Sequence, residues 1–137
     1  MPKASEILSL KGDAKQGKTL IGRCYVCHKI GSAGVEFGPA LAGWGSGQTR
    51  DVILKAILDP SADISHGFEG TELIVKGDKK IQGFVQAEGD PLVIRVFGGQ
   101  DLVIAKEDIQ SRKQVKTSFM APASRLGLDA QQLRDVV

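Results

Sequence analysis

Along the chain, the spacing of apolar and polar positions changes character twice. After Asp13 the small or apolar residues Gly17, Leu20, Ile21 and Cys24 recur at i, i+3, i+4 and i+7, and an aspartate is a good helix cap. This predicts a helix whose buried stripe ends at a cysteine. The segment KIGSAGVEFGPALAGWGSGQTR has no sustained period and much glycine, so it predicts an irregular loop that wraps something. A further helix is expected in TRDVILKAILDPS, with Val52, Ile53, Ala56 and Ile57 as its apolar face and Pro60 as its stop. From about Thr71 to Ile109 the pattern shifts to short strands, TELIVK, KIQGFVQA, PLVIRVF and DLVIA, separated by GD, EGDP and GGQ. Those separators are turn chemistry at hairpin spacing and predict a small antiparallel meander of four strands. In GLDAQQLRDVV a last helix is expected after Asp129, with Leu133 and Val136 or Val137 facing inward.

The expected class is therefore α+β. A chain of 137 residues suits one domain with a single buried core, here 1–137, divided into a helical half (1–70), a strand insertion (71–110) and a loop with the terminal helix (111–137). A formal charge of +2 is too small for nucleic acid, whose phosphates demand a concentrated basic field. No apolar run approaches the length of a bilayer crossing, and MPKASEILSLKGD lacks the basic-then-apolar order of a signal peptide.

Chemistry concentrates in RCYVCHKIG, which holds both cysteines and one of the two histidines. C-x-x-C-H is the attachment sequence of c-type haem. On a helix Cys24 and Cys27 lie one turn apart on one face, so both thiols can bond the two vinyl groups of one porphyrin, and His28 is carried beneath the ring to reach iron. Three alternatives compete. A thioredoxin-like pair expects its cysteines between a strand and a helix start, whereas here they end a helix. A zinc site needs a fourth ligand, from His66 or a carboxylate. Two inert buried cysteines leave the adjacent histidine unexplained.

The upstream GD, GK, apolar pair and CYVCH resemble the N-terminal helix of class I cytochromes c. That resemblance implies a small residue at Gly17 so that the C-terminal helix can cross closely. FGPALAG resembles the cytochrome c loop whose proline carbonyl, here that of Pro39, accepts the other N–H of the proximal imidazole and so orients His28. Trp44 and Arg50, whose donors follow this loop, are candidate partners of the haem propionates; Trp44 is alternatively core or a lid, and Arg50 a solvated first turn. Over nearly its whole length, through CYVCH, EFGPALAG, DPSADI, HGFEG, KEDI and SFMAPAS in order, the chain resembles the haem-binding domain family of planctomycete and verrucomicrobial proteins. This implies a mono-haem cytochrome c helical fold with a β insertion between the C-x-x-C-H half and the methionine-ligand half. Met120, in KTSFMAPASRLG, matches the family's methionine loop and is the expected sixth ligand beside His28, although the family pattern MP here reads MAP. Met1 is a terminal residue, and His66 is the rival ligand.

The resulting expectation is an electron-transfer protein rather than an enzyme, exchanging single electrons with redox partner proteins through one covalent haem c whose iron is held by His28 and Met120. Two alternatives remain: a haem-based enzyme or sensor for peroxide, nitric oxide or carbon monoxide, and a binding module whose β insertion recognises a partner. Arg112, Lys113 and Lys116 in SRKQVK form a basic rim for an acidic partner or a solvated face. Haem c attachment occurs after secretion, so the expected compartment is the periplasm or an equivalent exported one. The short terminal helix and the missing export signal suggest a segment of a longer polypeptide.

Overall fold

Asp13 begins the helix expected of it: its carboxylate accepts from the N–H groups of Lys15 (2.9 Å) and Gln16 (3.4 Å). The computed structural model describes all 137 residues. Its helices are α1 (Ala4–Ser9), α2 (Ala14–Leu20), α3 (Leu41–Ser46), α4 (Arg50–Leu58), α5 (Ala123–Leu126) and α6 (Ala130–Val136). The strands are β1 (Lys29–Ile30), β2 (Ala33–Gly34), β3 (Gly70–Val75), β4 (Lys79–Ala87), β5 (Leu92–Val96), β6 (Asp101–Ile104) and β7 (Ile109–Val115). The molecule is thus α+β, with one five-stranded antiparallel sheet beside a group of short helices.

The helices share one core of Ile7, Leu54, Ala123, Leu128 and Leu133. Gly17 sits where α2 crosses α6, and a Cβ there would fall onto the carbonyl oxygen of Asp135. Polar contacts hold the same crossing: the Asp13 N–H donates to Asp135 (2.9 Å) and the Arg134 guanidinium donates to the Leu10 carbonyl (2.8 Å). Helix α6 is capped by Asp129 and buries Leu133, as its pattern predicts. In α4 the pattern holds for Ile53, Ala56 and Ile57, which are half-buried, but not for Val52, and it misses Leu54. Val52 is 41% exposed, while Leu54 is fully buried against Ile7 and the terminal helices. Helix α1 carries no sequence signal strong enough to predict it, since six residues are too few for a period. It is held by Ile7 in the core and by the Glu6 carboxylate accepting from the Lys3 N–H at 2.9 Å.

The insertion has one strand more than its alternation suggests. Strand order is β6-β5-β4-β3-β7, so the chain passes from one edge of the sheet to the other through the short turn of 3-10 helix at Lys106–Asp108. In a flat sheet those edges would stand about 19 Å apart, before any offset along the strands. The five steps from Ile104 to Ile109 reach at most about 18 Å. The sheet must therefore curl towards a small barrel. One contact far apart in a flat register agrees with the curl: Arg112 on β7 makes a two-pronged pair with Glu88, just beyond β4 (2.7 and 2.8 Å). The Lys106 N–H donates to Asp90 (3.0 Å), which extends the β5–β6 register past Leu92 and Ile104. Leu73, Val75, Ile81, Leu92 and Ile94 fill the interior. The basic SRKQVK run lies mostly within β7, and two of its three cations are engaged internally, Arg112 by Glu88 and Lys113 by Glu72 (3.2 Å).

Candidate functional site

Between the helical core and the barrel lies an apolar cleft of about 310 Å³, within the size range of small-molecule sites. One wall begins with the cysteines. Beyond α2 the chain tightens into a 3-10 helix over Ile21–Val26 instead of continuing as an α-helix. At three residues per turn, Cys24 and Cys27 come close to eclipse, so the thiols share one edge. Both are free and half-buried, and both line the cleft. Burial pushes both thiols up in pKa; at Cys24 the nearby Arg23 opposes that rise and Cys27 adds to it. At neutral pH they are thiols, not the thiolates that a thioredoxin-like exchange requires.

His28 is the most constrained member of the site. Its N–H donates to the Cys24 carbonyl (2.8 Å), its ring is buried, and its Nδ1 stands 2.6 Å from the Pro39 carbonyl oxygen. A ring nitrogen facing a carbonyl is the protonated donor, which leaves Nε2 with its lone pair free. The glycine-rich segment lies against the residue 24–28 segment. Gly38 donates to the Cys27 carbonyl (2.6 Å), and Val35 donates to the Tyr25 carbonyl (3.0 Å). A Cβ on Gly38 would stand 2.7 Å from His28 Cε1, so only glycine lets this loop lie against the imidazole. The loop is less irregular than its sequence suggests, containing the β1–β2 hairpin and α3.

The remaining expected residues divide cleanly. Pro39, Trp44 on α3 and Met120 all line the cleft, with Ile53, Ala56 and Ile57 of α4. Arg50 does not: it is the exposed first residue of α4 and is absent from the cleft wall. Met1 is 65% exposed and also lies outside. The His66 side chain is fully solvent-exposed and pairs with Glu69 at 3.5 Å, away from the cleft. No three His, Cys, Asp or Glu side chains converge as a group that could hold a metal ion.

Unanticipated from sequence is the aromatic seam. All five phenylalanines meet: Phe37 lies 4.6 Å from both Phe84 and Phe97, Phe84 lies 5.4 Å from Phe68 and from Phe119, and Phe97 lies 5.5 Å from Phe119. Four of them, Phe37, Phe68, Phe84 and Phe119, also line the cleft. Their scatter from Phe37 to Phe119 hides the cluster, although the outward alternation of Phe84 against the barrel interior is readable in β4 once its register is known. The chain matches no family model and no curated protein.

Proposed function

We propose that this chain is a mono-haem c-type cytochrome domain, of the cytochrome c kind interrupted by a β insertion, that passes single electrons between partner proteins in an exported compartment. The carrying observation is that two free thiols, one imidazole with its Nδ1 engaged and one thioether all face a single apolar cleft. That donor set suits a flat apolar macrocycle better than a bare cation. Cys24 and Cys27 would hold haem c as thioethers, and His28 and Met120 would be the ligands to its iron. When bound, that group supplies a one-electron couple, with a thioether ligand favouring the reduced state. The Pro39 carbonyl fixes the tautomer and orientation of His28. The apolar walls exclude water from that pair. Trp44 closes part of the cleft from α3. The close α2–α6 crossing at Gly17 is the packing that the cytochrome c resemblance implies.

The test is expression with secretion and haem-attachment machinery, followed by intact mass and oxidised and reduced optical spectra. One haem per chain is expected, lost in the Cys24→Ala/Cys27→Ala variant. The ferric sulfur-to-iron charge-transfer band should disappear in Met120→Ala and persist in His66→Ala. A bare polypeptide or a zinc adduct would end the proposal. A wild type that lacks the band and takes up carbon monoxide at once would favour a sensor or enzyme instead.

A further inference from the structure

The inserted barrel has a place in the site that its sequence does not announce. The chain leaves the barrel at Val115, whose β7 register partner is Gly70, and enters the helical core again at Ala123, which is buried. Met120 hangs in the short span between. Its neighbour Phe119 lies against the barrel: a Cβ on Gly70 would stand 2.6 Å from Phe119 Cζ and 2.8 Å from Cε2. Two of the rings around Phe119, Phe84 on β4 and Phe97 just after β5, belong to the insertion. The third, Phe37 at 6.4 Å, precedes the Gly38–Pro39 segment that orients His28. The span is also pinned from the helical side, where the Ser118 N–H donates to Ser61 Oγ (3.0 Å) while Ser118 Oγ accepts from the Met120 N–H (3.1 Å).

We propose that the β insertion is the clamp that sets Met120 in the cleft, with Gly70 and Phe119 as its positioning residues. This rests on the proposed haem function, yet it concerns a different set of contacts. A notch without a side chain at Gly70 lets the Phe119 ring sit flush on the outer face of the sheet. The next residue is thereby held at one depth. Because Phe37 belongs to the same aromatic cluster, the barrel braces the methionine span and the loop behind His28 together.

The experiment compares three variants of the full, haem-loaded chain. Gly70→Ala should keep covalent haem by intact mass but lose most of the ferric charge-transfer band, and carbon monoxide should bind the ferrous form about tenfold faster, the scale expected for a residue that orients a metal ligand. Gly70→Ala combined with Phe119→Leu removes the ring atoms that the new methyl strikes and should regain much of the band. Gly83→Ala strains the β4–β5 pairing against the Arg95 carbonyl without touching Phe119, and should lower stability while leaving the band intact. An unchanged band in Gly70→Ala, or an equal loss in Gly83→Ala, would overturn the clamp. If wild type carries no haem, the proposed function fails instead; the clamp is then judged by the Met120 methyl NMR signal of the isolated chain, which Gly70→Ala must shift and Gly83→Ala must not.

Discussion

Replacing Gly17 by alanine sets two effects of opposite sign against each other. Within an exposed helix the change would stabilise by about 1 kcal/mol, because glycine loses more backbone freedom on folding. At this site the added methyl falls onto the backbone carbonyl of Asp135, and a backbone atom cannot rotate away. Helices α2 and α6 must separate, an overpacking strain of about 1–3 kcal/mol. Separation also stretches the bonds from Asp13 to Asp135 and from Arg134 to Leu10, each worth about 1 kcal/mol. The sum is a net loss of about 3 kcal/mol, or a fall in Tm of about 10 °C for a chain of this size. Thermal unfolding followed by circular dichroism measures it, with Gly22→Ala as reference because nothing lies near a Cβ there. If Gly17→Ala proves as stable as wild type or more so, the close crossing of the terminal helices is not what this glycine serves.

Gly38→Ala should push the His28 ring off the Pro39 carbonyl, and if haem is bound it should weaken axial ligation by about tenfold as read by imidazole competition. Leu54→Ala should cost about 2–5 kcal/mol in denaturant unfolding. Val52→Ala should cost less than about 0.5 kcal/mol, the reverse of what the apolar pattern of α4 suggests. The Glu72 carboxylate accepts from Gln82 (2.7 Å) and lies beside Lys113 and Lys80, which hold its pKa below the ordinary glutamate value, the Gln82 bond contributing most. A carboxylate with a lowered folded pKa stabilises above its unfolded pKa and loses that contribution as pH falls through the folded one. Barrel stability should therefore decline below the ordinary glutamate pKa of about 4.3, with a shallower decline in Glu72→Gln.

Local chemistry was readable wherever it depends on near neighbours in sequence. Asp13 and Asp129 cap their helices, Pro60 follows the end of α4, and the turns of the meander fall between the expected strands. The spacing of Cys24, Cys27 and His28 forces them to one wall. What escaped detection is set by tertiary contact. Strand β7 reads as a charged run because its exposed middle carries Arg112 and Lys113, and its strand state comes from pairing with β3 on one side only. Leu54 is buried because α4 is packed on two sides, so its apolar residues divide between the core and the cleft. Arg50 shares a helix with cleft residues, but its position at the first turn leaves it facing water.

The two apolar interiors, one among the helices and one inside the barrel, share no buried residue. What joins them is the phenylalanine seam and the cleft beside it. Such a junction is unusual in its composition, since aromatic rings occupy the seam while smaller aliphatic residues fill both cores. Rings suit a seam that must meet flat apolar surface on one side and a pleated sheet on the other, because they offer large faces with few rotatable bonds. A planar group in the cleft would contact Phe37 and Phe119 on the seam together with Ile53 and Ile57 on the helical side, adding buried area to both halves at once. Its retention would then couple the insertion to the helices. A strand insertion placed between the imidazole and the thioether in sequence is, on this account, also placed between them mechanically.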